Sequence, residues 1–229
     1  MATKKVQKDD GIVVVEEALS KTEKFIEKNQ TILLIAIGVI VVVILGYFGF
    51  KRLYLQPREA EAQEQMFMAE KYFEMDSLNL ALNGDGMYPG FLAIIDDYGM
   101  TKSANLSKYY AGVIYLKRGE YDNAIDYLKD FKGRDQIIGP MAKGAIGDAY
   151  MELNNPGKAV DYYIAAAELS DNEFTSPLFY FKAGWTYEKL GKYSDAQKVY
   201  EKIKNDYPKS TEAREIDKYI ARAKKRAEG

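Results

Sequence analysis

Two of the side chains that most often carry catalysis are missing, since the 229 residues include no histidine and no cysteine. Histidine general bases, Ser-His-Asp triads, thiolate nucleophiles, disulfides, zinc–cysteine sites and cysteine lipidation are thereby excluded. Carboxylates, lysine, tyrosine and serine remain. Asp96 and Asp97 are adjacent, but neighbours on a helix point about 100° apart and do not converge on one substrate. The run Asn83-Gly84-Asp85-Gly86 has the residue types of a calcium loop without its spacing, because the alternating carboxylates and the closing glutamate are missing. With Tyr88-Pro89-Gly90 behind it, the run reads as a pair of turns. A Gly-rich phosphate loop and a metal motif are also lacking, so the expectation is a chain that is no enzyme and needs no cofactor, metal or small-molecule substrate. With 34 acidic and 32 basic residues, a net charge of −2, it offers nothing like a nucleic-acid-binding surface.

The elements that could position a binding surface begin with Thr31 to Phe50, TILLIAIGVIVVVILGYFGF. This stretch has no charge and no proline. As a helix it spans roughly 30 Å, the hydrocarbon thickness of a bilayer, and predicts a transmembrane helix over 31–50. Lys28, Asn29 and Gln30 precede it. Lys51 and Arg52 follow it, and Tyr47, Phe48, Phe50 and Tyr54 form an aromatic belt at that end. A cleaved signal peptide would have a shorter apolar core and a small-x-small site, whereas Lys51-Arg52-Leu53-Tyr54 stands here, so the segment is expected to stay as an anchor.

Residues 1–30 form a tail in which Lys4, Lys5, Lys8, Lys21, Lys24 and Lys28 are balanced by Asp9, Asp10, Glu16, Glu17, Glu23 and Glu27. Met1 to Gly11 is expected to be disordered. From Glu16 to Gln30 a juxtamembrane helix is expected, with Leu19, Thr22, Phe25 and Ile26 on one face. Lysine and arginine counts beside the span tie. A large domain crosses a membrane regardless of its charge more readily than a lysine-rich tail, which places the tail in the cytoplasm and the domain outside.

Downstream, residues 51–104 read as a linker helix restarting after Pro57 and a degenerate first unit. Ala69 and Tyr72 mark its first helix and Phe91 to Tyr98 its second, with the Asn83 to Gly90 turns inserted between them. Over 105–208 the chain repeats. Gly112, Tyr115, Ala124 and Leu128 recur as Gly147, Tyr150, Ala159 and Tyr163 and again as Gly184, Tyr187, Ala196 and Tyr200. The periods are 35 and 37 residues. Small residues let the two helices of a pair approach, larger ones are expected to fill the space between pairs, and three or more pairs must stack to bury their apolar faces. Residues 209–229, with a helix from Ser210 to about Ala227, cap the stack.

This spacing resembles the tetratricopeptide repeat, a unit of two antiparallel helices, and Pro208 stands where that pattern expects its closing proline. The fold class expected is all-α, a single N-terminal transmembrane helix followed by a tetratricopeptide-repeat helical solenoid. Carried over from that pattern, the inward-pointing positions fall on Leu106, Tyr109, Val113 and Leu116, then Met141, Asp148 and Met151, then Leu178, Phe181, Trp185 and Glu188. Repeats that clamp the C-terminal carboxylate of cytosolic heat-shock proteins carry Lys, Arg and Asn there. Tyr109, Val113, Phe181 and Trp185 stand here instead, which argues against that function. An apolar groove suits an extended or helical peptide, with Trp185 and Phe181 as anchors, or is filled by the chain's own helices, Ser210 to Ala227 or Arg58 to Phe73.

In organisation, a short tail, one uncleaved span and repeats to the end, the chain resembles the YfgM family, an ancillary subunit of the bacterial Sec translocon. The resemblance implies a single-pass protein of the bacterial inner membrane with a cytoplasmic N-terminus. It also implies a periplasmic repeat domain whose partners are Sec translocon subunits, a membrane-anchored prolyl isomerase and emerging secretory chains. The insertion around Gly84, Gly86, Pro89 and Gly90 and the 19 tyrosines depart from that family. A cytosol-facing, membrane-anchored import or docking receptor is the alternative with the same repeats.

Overall fold

The computed structural model describes residues 10–133 and 135–228, with backbone alone for residues 10–22 and 24. The chain divides into two units, Met1–Pro57 and Arg58–Gly229. The disorder expected at the extreme N-terminus concerns residues 1–9, which lie outside the described residues.

The first unit is built on α1, Asp10–Phe50. From Ile32 to Phe50 its large apolar side chains other than Leu33 are exposed, Val42 at 69% and Ile32 at 68%. That pattern suits a helix solvated by lipid and not the core helix of a soluble fold. By length and composition it is able to cross a membrane. A π-helical turn, Lys51–Leu55, follows, closed by the Gln56 amide on the Lys51 carbonyl. Pro57 has no amide to return to Leu53 and its ring crowds that carbonyl, so the widened turn sits where an α-helical bond is unavailable. Phe50 stacks on Tyr54 at 5.2 Å between ring centres.

The second unit is built of helices joined by turns and short loops, and the one β feature among its described residues is an isolated bridge, Gly84 to Pro89. Its helices are α2 (Gln56–Glu74), α3 (Leu78–Asn83), α4 (Phe91–Asp97), α5 (Lys102–Lys117), α6 (Tyr121–Asp130), α7 (Ile138–Glu152), α8 (Pro156–Leu169), α9 (Thr175–Lys189), α10 (Tyr193–Asp206) and α11 (Ile216–Glu228). Ser210 accepts the Ala213 amide at 3.1 Å, a short 3-10 turn Glu212–Glu215 follows, and α11 begins six residues later than the sequence pattern put it.

The recurring glycine and the large residue sixteen positions on are in contact. A Cβ at Gly112 would lie 2.5 Å from the Leu128 side chain, one at Gly147 2.6 Å from the Tyr163 ring, and one at Gly184 2.3 Å from the Tyr200 ring. The large side chain thus fills the space over the glycine inside each pair, not the space between pairs as its size had implied. Ala124, Ala159 and Ala196 are fully buried. The recurring tyrosine has two jobs. Its ring stacks on the second helix, Tyr115 on Tyr127 at 5.3 Å and Tyr150 on Tyr162 at 5.4 Å. Its carbonyl also closes the helix, accepting the amides of Glu120 (2.9 Å), Asn155 (2.8 Å) and Lys192 (2.9 Å). In each case the residue just before that amide is left-handed, at Gly119 (φ 77°), Asn154 (53°) and Gly191 (72°), the helix stop that glycine and asparagine favour.

The same turn occurs earlier. Asp76 has φ 55° and Ser77 donates to the Tyr72 carbonyl at 2.8 Å. Ala69 and Ala81, twelve positions apart, are both fully buried. The excursion from Gly84 to Gly90 lies between α2 and α4, the two helices expected there, but the short α3 also stands between them, so the excursion opens after α3 and not at the turn. Its ends are pinched together. A Cβ at Gly84 would lie 2.4 Å from the Tyr88 carbonyl oxygen, and one at Gly90 2.4 Å from the Gly84 nitrogen. Asp85 holds the loop, accepting the amides of Met87 and Tyr88 and the Tyr72 hydroxyl at 2.6 Å.

Candidate functional site

The first helices of the three pairs, α5, α7 and α9, lie side by side and open a groove of about 750 Å³. Its apolar lining is Leu116, Met151 and Trp185, and its polar lining includes Asp148, Glu152, Lys182 and Lys189. Trp185 is 58% exposed. A tryptophan so placed offers a rigid apolar face and an indole N–H, the combination enriched at binding hot spots.

The floor of the groove is a fixed polar rung. Asp148 on α7 accepts the Tyr163 hydroxyl of α8 at 2.6 Å and two bonds from the Lys182 ammonium of α9, at 2.7 and 2.8 Å. Burial and then the bond to Asp148 push the Tyr163 phenol above its ordinary value, so it remains a donor. Lys182 also lies over the Tyr163 and Phe179 rings. One repeat on, Glu188 takes the part of Asp148. It is buried, accepts the Tyr200 hydroxyl at 2.9 Å and pairs at 2.7 Å with Arg222 of α11. The second and third pairs are thus stitched at their first-helix face by one acid each, Asp148 with Lys182 of α9 and Glu188 with Arg222 of α11.

The nine residues predicted to line a partner groove separate. Asp148, Met151 and Trp185 share the groove. Leu106 lines a different cup near the start of α5. Tyr109 and Val113 are half-buried against the cluster of Ile125, Leu128 and Ile146. Met141, Leu178 and Phe181 are half-buried against the core of the second and third pairs, and Phe181 is packed edge-on against Tyr219 of α11 at 4.8 Å. The chain's own last helix therefore covers Phe181 and reaches Glu188, and leaves Trp185 exposed. Tyr121, Glu152, Lys182 and Lys189 were not among the nine. Their one sequence signal is position, since Tyr121, Glu152 and Lys189 flank the turns that close the pairs and sit at the groove's rim.

Family profiles described as tetratricopeptide repeat match residues 107–135, 142–173 and 179–210. Among curated protein sequences no significant match is found. Two solved structures are similar. One contains nearly identical TPR-like repeats from Podosopora anserina, of a protein described as a kinesin light chain. It is 13% identical, covers 74% of this chain and 88% of that one, and has a TM-score of 0.54. The other is the crystal structure of MamA protein, 18% identical, covering 73% of this chain and 92% of that one, with a TM-score of 0.51. At these identities the likeness speaks to fold alone. Such repeats are scaffolds for protein–protein interaction. The chain folds as an all-α tetratricopeptide-repeat solenoid preceded by one long apolar helix.

Proposed function

We propose that this protein is a membrane-anchored, non-enzymatic adaptor that holds segments of partner proteins in the groove between α5, α7 and α9. The observation that carries the reading is Trp185. It stands 58% exposed over a groove of about 750 Å³ whose floor is closed by the Asp148–Lys182 pair, while Glu152 accepts the Tyr121 hydroxyl and Lys189 has no ion pair among the described residues. An exposed aromatic face above a floor whose central ion pair is closed favours apolar segments of extended or helical peptide. The bilayer-length helix supplies the anchor. The resemblance to the YfgM family in organisation gives the setting. That setting is the periplasmic face of a bacterial inner membrane, with the N-terminus in the cytoplasm and Sec translocon subunits, a membrane-anchored prolyl isomerase and emerging secretory chains as partners. There the adaptor assists passage or folding.

A photoreactive amino acid in place of Trp185 in intact cells is expected to crosslink to translocon subunits, their attached isomerase or secretory chains. Capture of cytosolic proteins alone would sink the proposal. Protease added outside spheroplasts is expected to digest residues 58–229. Protection of that domain would favour the cytosol-facing receptor.

A further inference from the structure

A second surface lies apart from the Trp185 groove and shares no lining residue with it. At the starts of α5 and α7 the chain forms a cup of about 930 Å³ whose apolar wall is Met100, Leu106, Phe131 and Ile138. Met100 is 67% exposed at its mouth. Three lysines, Lys102, Lys108 and Lys132, stand around it.

The cup is rigid where it needs to be. Asn105 pins the strip after α6, accepting the Lys132 amide at 2.9 Å and donating to the Lys132 carbonyl at 3.3 Å. The start of α5 is already capped, with Glu59 taking the amides of Lys102 and Ser103 and Thr101 that of Ala104. Asp135, the one acid in the lining, is used locally. Burial works against its ionisation, but the amides of Ile137 and Ile138 hold its carboxyl below the usual range. The cations have no such use. Lys108 reaches an exposed Asp130 at 3.8 Å, and Lys102 and Lys132 have no ion pair among the described residues. The backbone donors at the start of α5 are thus spent on the chain itself, while two of the three ammonium groups, those of Lys102 and Lys132, are left for a partner.

An apolar wall beneath three cations, of which only Lys108 has an ion pair among the described residues, is complementary to one class of occupant. We infer that this cup docks an amphipathic peptide segment of a partner protein, its apolar residues seated on Met100, Leu106, Phe131 and Ile138 and its carboxylates on Lys102, Lys108 and Lys132. The apolar depth argues for a peptide over a phosphate or a nucleic-acid backbone, which would use the lysines and leave the wall wet.

The test uses the full chain in phosphatidylcholine nanodiscs and three fluorescein-labelled twelve-residue peptides read by anisotropy. One peptide alternates Leu or Phe with Glu, one replaces Glu by Lys, and one keeps Glu but replaces the apolar residues by Ser. The first is expected to bind at least tenfold tighter than the other two and to weaken with added salt. The double variant Lys102→Gln/Lys132→Gln, whose changes are on exposed side chains, is expected to lose about tenfold with an unchanged far-UV CD spectrum, whereas Trp185→Ala is expected to bind as the parent does. Equal binding of the three peptides, loss through Trp185→Ala and not through the lysine changes, or a lysine-dependent binding of phosphatidylglycerol vesicles with peptide affinity untouched would each overturn the assignment.

Discussion

Gly184 and Tyr200 show how much a single contact in this fold is worth. A Cβ at position 184 would lie 2.3 Å from a ring that is itself fully buried, so Gly184→Ala must push Tyr200 off its seat. Overpacking of that kind costs about 1–3 kcal/mol. Gly157, in the first turn of α8, is the control, since the nearest atom to its Cβ is 3.9 Å away and it needs no left-handed backbone. Gly157→Ala is expected to raise stability by about 0.5 kcal/mol through the unfolded chain. Urea midpoints of the two variants should fall on opposite sides of the parent's. This pairing was legible in the sequence as a spacing, glycine and large residue sixteen apart, but not as a contact, because spacing states a period and not which faces meet. Tyr200 carries a second expectation. Burial, then its bond to Glu188, push its phenol above the ordinary value of 10.0. When pH exceeds about 10 the unfolded tyrosine ionises while the folded one keeps its proton, so the unfolded state binds fewer protons and stability falls, by about 1.4 kcal/mol per pH unit for each such tyrosine. Tyr110, Tyr180 and Tyr207, each pushed up to about 12, act in the same direction. The parent should lose stability between pH 9 and pH 11, and Tyr200→Phe should lose about 1 kcal/mol less over the same interval. Equal losses would remove Tyr200 from the account.

Among the elements, the repeated turn is the most informative, because it recurs where the residue pattern fades. Asp76, Gly119, Asn154 and Gly191 are all left-handed, and each precedes an amide bonded to a tyrosine carbonyl. We propose that α2 with α3 and α4 is a repeat whose second helix has been split by the loop from Gly84 to Pro89. Ala69, Tyr72 and Ala81 hold the spacing of Gly112, Tyr115 and Ala124, and removal of those six residues would bring the buried Phe91 to the place of Leu128. A chain lacking residues 84–89, with Gly90→Ala to favour helix, is expected to fold with higher helical ellipticity and a melting temperature no lower than the parent's. Loss of cooperative unfolding would refute the split-helix reading. Turn residues made the excursion visible in the sequence, yet turn chemistry is local and does not say which helix it interrupts. The last helix was likewise legible as a cap, though not its point of attachment. That point is the Arg222–Glu188 pair, in which Glu188 keeps only 7% of its side-chain surface and Arg222 is 41% exposed. Arg222→Ala leaves a buried acid with the Tyr200 hydroxyl alone, and a loss of about 2 kcal/mol in urea unfolding is expected, less than for a fully buried pair because water reaches the cation.

For the whole molecule, the two kinds of surface have to be weighed together, an apolar helix of bilayer length and a groove with one exposed tryptophan. A groove of about 750 Å³ that offers few unpaired polar groups cannot hold a peptide tightly, and affinities in the micromolar range or weaker are what such a contact supports. Anchoring as proposed would change the arithmetic, because confinement beside a membrane-bound partner raises the effective concentration towards the millimolar range without any new contact. The sequence made both parts visible, the bilayer-length helix through its unbroken apolar run and the stack through its period. It did not reveal that most of the predicted lining is occupied by the chain's own packing, since inward-pointing positions do not tell whether a neighbouring helix covers them. If the anchor works as a tether, replacing Thr31–Phe50 by an unrelated apolar span should leave crosslinking from position 185 unchanged in cells. Releasing residues 58–229 without a span should reduce it at least tenfold, while the two purified forms bind a probe peptide with dissociation constants within about twofold of each other. Equal crosslinking from the released form would mean that the groove alone suffices. Loss on replacing the span would instead make the faces of α1, with Gly46 and Gly49 among their small residues, a contact in their own right.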